Sequence, residues 1–442
     1  MRKKIIHKIP VRNQNEVVGI KFSGWVSSNE SLIKYASLAL IVLATLLSFG
    51  TVVRNGFVNF DDNIFIYENE SIRNFSVSGI FSFFTGNIGQ FPPLVLTIFT
   101  VLYHFFSLDP LPYHVVNLGL HVLNSLLVFL FAYRFDKRML AALVAGMLFG
   151  IHPLHVESVA WATELKDVLY SFFFLLGLLG YQKYRLEEGK RKYLLYSLIW
   201  FMLSCLSKGM AVVFPLVLLV IDYFILGRIS RKELLEKIPF FGIALIWGLM
   251  TFVTQQSLGA VDGSNSISYF QRIFIAAYGI LFYLVKLVMP LNLSAYYPFP
   301  FPSGGVLPWY FYITPLIVIL LGIGVYFSGK FRKILLFGLL FYLINLLLVI
   351  QLIPVGMAVV GERYFYLSSV GLFLVMGIGI DQLIIFKPGL RTVTLIFLVI
   401  VTTGLALLSN KQVKVWENRD ETNRGDSGTL IREGASASEF LD

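Results

Sequence analysis

The stretch AALVAGMLFGIHPLHVESVAWATELKDVLYSFFFLLGLLG, residues 141–180, decides the fold class. Two strongly apolar runs enclose HPLHVESVAWATELKD, residues 152–167, which carries two histidines, three acids and a lysine. A charge held in lipid costs about 2.5–3.5 kcal/mol or more. A cluster of this size at a membrane boundary therefore reads as a place where a membrane protein does chemistry, or handles a charged substrate, on one face of the bilayer.

The rest of the chain extends that reading. Of its 442 residues, 57% are hydrophobic and only 14% charged, a balance outside the soluble globular range that demands a bilayer as solvent. The class is an all-α polytopic membrane protein. The net charge is +10, but Lys and Arg fall in short clusters between apolar spans, so the basic balance reports topology and not nucleic-acid binding. The single cysteine, Cys205, lies inside an apolar run and excludes an intramolecular disulfide and a zinc–thiolate framework. The first long apolar run begins near Leu32 without a small-residue cleavage site, and it reads as a retained span.

Apolar runs near 32–53, 113–133, 139–151, 168–182, 193–206, 210–226, 238–254, 309–327, 334–352, 365–386 and 392–409 are each a candidate membrane helix. Several are short, which suggests helices ending in a cavity. Segments near 1–30, 134–138, 183–192, 228–237, 330–333 and 387–391 hold 23 of the 36 Lys and Arg residues and belong to the cytoplasm by the positive-inside rule. The segments 54–91, 152–167, 255–269, 290–308, 353–364 and the tail then face outward. The apolar helix 270–289 breaks this alternation and is expected to be re-entrant or partly crossing. Residues 92–106, after a double proline, are expected to form a helix along the outer surface. The organisation expected is a basic cytoplasmic N-terminus (1–30), a transmembrane domain (31–410) and a loose polar tail (411–442). No soluble domain, tandem repeat or glycine-rich phosphate loop is evident.

Chemistry-bearing residues concentrate on the outward side. In GFVNFDDN, residues 56–63, Asp61 and Asp62 are adjacent carboxylates; one can act as a general base, although Asp-Asp-Asn also suits a solvated turn. Pro153 is expected to start a helix that sets Glu157, Trp161 and Glu164 on one face. His152, His155 and Glu157 can in principle ligate a divalent metal, but their spacing matches no established zinc pattern; hydrogen bonding, with His155 held by a carboxylate, is the favoured reading. Lys166, beside Asp167, suits a phosphate or simply snorkels at the interface. Lys208 is either a loop residue or a second cation for the ligand. In GERYFYLSS, residues 361–369, Glu362, Arg363 and Tyr364 open a span, and an Arg-led aromatic cluster can hold a phosphate by paired bonds or form a plain interfacial belt. The uncharged loop 296–309 suits a semi-rigid lid or acceptor surface.

The ordered series GFVNFDDN, PYHVVNLGLHVLNSLLVFL, HPLHVESVAWATELKDVL, LSKGMAVVFPLVLLVIDY and GERYFYLSS resembles the multi-spanning part of the transmembrane and tetratricopeptide-repeat O-mannosyltransferases and their bacterial relatives, within the GT-C class of glycosyltransferases. The likeness runs from about residue 55 to 415. It implies a GT-C-type bundle of about 11–12 membrane helices with outward juxtamembrane helices. It further implies inverting transfer of a sugar, a mannose-like hexose among the options, from a polyprenyl-phosphate donor to a protein, lipid or glycan acceptor. The base maps onto Asp61 or Asp62, the phosphate-binding cations onto Lys166, Arg363 and then Lys208. His152, His155, Glu157, Glu164, Asp167, Glu362 and Tyr364 would shape the substrate pocket. A divalent cation, Mg or Mn, is used by some members of the wider class and not by others. The expected setting is a prokaryotic plasma (inner) membrane with the active site extracytoplasmic. A transporter or flippase of a lipid-linked saccharide is the alternative, since it would use the same acids and cations for passage; paired inverted segments with broken helices would favour it, and no such pairing is visible.

Overall fold

The computed structural model describes residues 29–58, 60–85, 92–187, 189–257, 267–300, 306–353 and 358–417. The expectations for the N-terminus to residue 28, for the tail from residue 418 and for part of the loop 296–309 lie outside the described residues.

The helices, in chain order, are α1 (Glu30–Phe49), α2 (Val77–Thr85), α3 (Pro93–Phe106), α4 (Pro110–Asp136), α5 (Met139–Ile151), α6 (Val156–Ala160), α7 (Leu165–Leu186), α8 (Arg191–Ser207), α9 (Phe214–Leu226), α10 (Arg231–Leu235), α11 (Ile238–Ser257), α12 (Tyr269–Val288), α13 (Trp309–Phe327), α14 (Arg332–Leu346), α15 (Phe365–Phe386) and α16 (Arg391–Val413). The only strands among the described residues, β1 (Tyr297–Pro298) and β2 (Ala358–Val360), pair antiparallel. Each apolar run of the sequence carries a helix over most of its length. Among the described residues seven helices, including α1, α4, α12, α13, α15 and α16, are long and apolar enough to cross a membrane by themselves, and the pair Met139–Ile151 and Pro153–Ala160, bent by 55°, adds an eighth if it is one span. At 17 and 15 residues, α8 and α14 fall short of a full crossing. The run 334–352 stays helical only to Leu346.

Contacts between helix ends sort the chain into two poles. The loops after α1, α5, α8 and α14 meet at one pole, where Gly56 N–H donates to Glu417 O at 3.0 Å. At the other pole Arg138, between α4 and α5, bridges Asp136 at 2.7 Å and Asp381 of α15 at 3.0 Å. There too Arg185 of α7 grips both oxygens of Asp222 of α9, and Tyr181 donates to the same carboxylate at 2.7 Å. Buried Lys237, just before α11, completes that ion cluster. Among the described residues, the Lys- and Arg-bearing ends at 134–138, 183–187 and 228–237 thus share one pole, and residues 56, 61–62, 157–167, 208 and 363 share the other.

Close approach of the helices rests on glycine where two backbones touch. A Cβ on either Gly338 of α14 or Gly371 of α15 would lie 2.9 Å from the other glycine's carbonyl, so the two helices meet as small residues allow membrane helices to meet. Polar side chains join the core where a backbone carbonyl is left over. Asn124 donates to Val168 O at 2.8 Å, and His121 spans Tyr366 Oη at 2.9 Å and Gly150 O at 3.2 Å. In a medium without water such groups must be satisfied internally.

Two boundaries differ from the sequence reading. The last helix passes the expected domain edge at 410, runs to Val413 and ends in a tight turn, Lys414–Trp416, with Trp416 buried. Trp416 stacks on Trp161. Helix α12, expected to be re-entrant or partly crossing, is a continuous 20-residue helix. Its middle lies beside the start of α13, through Phe274 on Tyr312 and Tyr278 on Phe311.

Candidate active site

The segment 152–167 folds as a broken helix and not as the continuous one its spacing predicts. His152 is extended, Pro153–His155 form a tight turn and α6 follows; Trp161 is extended again before a second turn, Ala162–Glu164, leads into α7. At the break, Trp161 O accepts from Glu164 N–H at 3.1 Å and Ala162 O from Leu165 N–H, and the Asn117 amide of α4 adds a second donor to each, at 3.1 and 3.3 Å. The freed Thr163 N–H is taken by Asp62 Oδ1 at 3.0 Å. Glu157 and Glu164 still converge, but they do so across the break.

The two adjacent acids separate sharply. Asp62 is fully buried, accepting from Val58 N–H at 2.9 Å and from both the amide and the hydroxyl of Thr163. Burial pushes its carboxyl up to about 6, against the pull of the Thr163 and Val58 donors. It ties the first outward loop to residues 161–164. Asp61 is 41% exposed and places Oδ2 3.1 Å from Lys166 Nζ.

Glu164 is the centre of the cluster. Its fully buried carboxylate lies 3.2 Å from Lys166, 3.7 Å from Lys208 and 3.5 Å from Arg363. Burial alone would raise its pKa, but the three cations outweigh burial and hold it well below the usual carboxylate range. Each cation comes from a different element: Lys166 from the first turn of α7, Lys208 from the end of α8, and Arg363 from the turn before α15. Each also has a second acid. Lys208 bonds Asp167; Arg363 bonds Glu157 through its side chain, and through its backbone N–H at 2.7 Å. All three cations remain partly exposed, at 15–22%.

Rings wrap this charge. Lys166 and Arg363 lie 5.5 and 5.4 Å from the Trp161 ring centroid, and Arg363 lies 4.9 Å from that of Tyr364. Trp161 stacks on Trp416 at 5.6 Å, with Phe60 beside both. Asn117, Thr163, Trp161 and Trp416 were not singled out as site residues from sequence. Asn117 sits among apolar positions of a membrane helix, where a buried amide is a signal in itself.

The expected residues thus divide. Asp61, Glu157, Glu164, Lys166, Asp167, Lys208, Arg363 and Tyr364 come together. Glu362 points elsewhere: it accepts from Tyr297 Oη at 2.7 Å and Ser294 N–H at 2.9 Å and fastens the 294–297 loop beside β2. His152 accepts from Leu154 N–H and contacts Leu287 O at 3.1 Å, which ties the segment to α12. His155 is held by Phe149 O at 2.8 Å and Ser369 Oγ at 3.2 Å, inside rings of Phe149, Phe365 and Tyr366. The expectation that a carboxylate positions His155 is corrected, because a backbone carbonyl and a hydroxyl do so. Both His155 ring nitrogens and the Glu157 carboxylate, the candidate metal ligands, are engaged by protein groups here. Among the described residues no group of three His, Cys, Asp or Glu is arranged to hold a metal ion.

Comparison with known proteins gives this cluster a context. The chain is 30% identical over 180 residues to a protein O-mannosyl-transferase of Xenopus laevis, a stretch covering 38% of this chain and 21% of the frog protein. It is similar in sequence to the protein O-mannosyl-transferases. A mouse member is 33% identical over 165 residues, covering 35% of this chain and 19% of its own length. A member from Caenorhabditis elegans is 26% identical over 374 residues, covering 80% of this chain and 51% of the worm protein. The chain thus spans at most about half the length of these relatives. No family model matches the sequence. Among solved structures, the archaeal oligosaccharyltransferase AglB from Archaeoglobus fulgidus aligns with a TM-score of 0.47 at 12% identity, over 88% of this chain and 56% of its own. ArnT from Cupriavidus metallidurans, bound to undecaprenyl phosphate, aligns with a TM-score of 0.45 at 14% identity, over 82% and 63%.

Proposed function

We propose that the protein is a membrane glycosyltransferase of the GT-C type that moves a sugar, a mannose-like hexose as in the O-mannosyl-transferases it resembles, from a polyprenyl-phosphate donor to a hydroxyl-bearing acceptor on the extracytoplasmic face. The observation that carries this is the meeting of a half-exposed loop carboxylate, Asp61, with three partly exposed cations, Lys166, Lys208 and Arg363, around one buried acid.

The chemistry needs two things at one place. An acceptor hydroxyl must lose its proton as it attacks the anomeric carbon, and Asp61 is the carboxylate that reaches solvent there. The C–O bond to the phosphate breaks with inversion, its electron pair leaves on the phosphate oxygen, and the added negative charge is stabilised by nearby cations more than by a proton donor. Lys166, Lys208 and Arg363 are held ready for that charge, with Arg363 able to offer paired N–H bonds to phosphate. Asp62 has a different part. Fully buried and saturated with donors, it fixes the loop that presents Asp61.

The test uses the purified protein in detergent with a radiolabelled polyprenyl-phosphate mannose and a hydroxyl-rich peptide acceptor. Label should move to acceptor in the wild type and not in Asp61→Asn. Movement of the donor between leaflets of a proteoliposome without any transfer would defeat the reading and favour a carrier.

A further inference from the structure

Trp161 carries an anomaly that the proposed base and cations do not use. The residue is only 4% exposed, and its indole Nε1–H has no hydrogen-bond acceptor among the described residues. Leaving a buried donor unpaired costs about 1–3 kcal/mol, and native structures rarely tolerate one without a reason. An indole N–H can only donate, so what it lacks is an acceptor. None of the carboxylates around it accepts from the indole: Asp61 pairs with Lys166, Glu157 with Arg363, and Glu164 with three cations.

The surroundings say what kind of acceptor is missing. Lys166 and Arg363 approach the indole ring to 5.5 and 5.4 Å of its centroid. An oxygen drawn to that place by both charges is anionic. The ring itself is fixed by Trp416 stacked on it at an interplanar angle of 20° and by the chain break that Asn117 clamps, so the donor is held ready before any ligand arrives. The half-buried Phe60 ring, 5.5 Å away and next to Asp61, is the contact that a headgroup would displace.

We infer that Trp161 is a ligand-binding residue whose indole N–H donates to a non-bridging phosphate oxygen of the lipid-linked donor, between Lys166 and Arg363. The inference rests on the proposed function for the identity of the lipid, and its test is a binding measurement that needs no turnover. Wild type and Trp161→Phe are titrated in detergent with a sugar-free polyprenyl monophosphate. Phe keeps an apolar ring and removes the N–H, so its affinity should fall roughly tenfold to hundredfold, the range for a hydrogen bond to a charged group. In turnover the donor KM should rise and kcat should fall as well, because the phosphate oxygen that accepts the bond gains negative charge as the C–O bond breaks. Incorporation of β-(3-benzothienyl)alanine at position 161, which puts sulfur in place of the N–H and keeps the ring outline, should reproduce the loss, and it replaces Trp161→Phe should that variant fail to fold. Wild-type affinity in the benzothienyl protein overturns the inference and leaves the base assignment standing. Absence of binding to wild type overturns the lipid-phosphate reading together with it.

Discussion

At the scale of single residues, two neighbours of the same chemical type take opposite parts because their surroundings differ. Asp61→Asn should lower sugar transfer by roughly a hundredfold to ten-thousandfold, the usual worth of a general base, while leaving binding of a polyprenyl monophosphate within a few fold; the pair of assays checks this. Asp62 should reveal itself through pH instead. Its folded pKa near 6 lies above the ordinary value of 3.8, so between those values the folded protein binds a proton that the unfolded chain does not. Stability from this group is therefore gained as pH falls through 6 toward 4 and is lost as pH rises, by about 3 kcal/mol at most. Thermal unfolding of wild type and Asp62→Asn from pH 7 to pH 4 should show their difference widening toward acid; a constant difference would refute it. Sequence made the acidic pair visible and left open which member does what. Burial decides that, and burial of Asp62 depends on Thr163, a hundred residues along the chain.

At the scale of elements, the apolar runs were legible because lipid imposes a length and a composition on anything that crosses it. The segment 152–167 was legible as a site and misread as a helix, for a physical reason. Local spacing favours a continuous helix from Pro153, but the tight turn Ala162–Glu164 and a second donor from Asn117 on α4 hold the carbonyls at Trp161 and Ala162, and nothing within the segment announces a partner on another helix. Asn117→Leu should therefore act on the break. It removes the side-chain donor that Trp161 O and Ala162 O share beside their backbone donors, costs about 0.5–1.5 kcal/mol, and should weaken binding of a polyprenyl phosphate by moving Trp161 and Lys166. A melting temperature together with a binding titration tests it, and unchanged binding in a destabilised protein would show that the break does not position the site. Gly371→Val offers a contrast of the same size without chemistry. A side chain there meets the backbone of Gly338, so α14 and α15 must part, and the expected loss is in folded yield and melting temperature.

At the scale of the whole molecule, the clusters of Lys and Arg predict which loops share a face, and among the described residues the pole contacts group 134–138, 183–187 and 228–237 together. What sequence did not foretell is that residues 414–417 close on the first loop, Glu417 O accepting from Gly56 N–H and Trp416 stacking on Trp161. A single-residue comparison across the membrane tests the arrangement. Cys205, the only cysteine, is buried, so a Cys205→Ala background gives a clean surface. Cysteines placed singly at Asp61 and Glu417 should react together with a membrane-impermeant maleimide added to intact cells. Cysteines at Glu187 and Lys232, in the Lys- and Arg-rich loops, should react only after the membrane is opened. The positive-inside rule gives the sign of that split and the pole contacts give its membership. Labelling of positions 61 and 417 from opposite sides would separate the carboxylate loop from the aromatic floor it rests on. The cluster of Asp61, Lys166 and Arg363 could not then form, and the proposed transfer chemistry would lose its site.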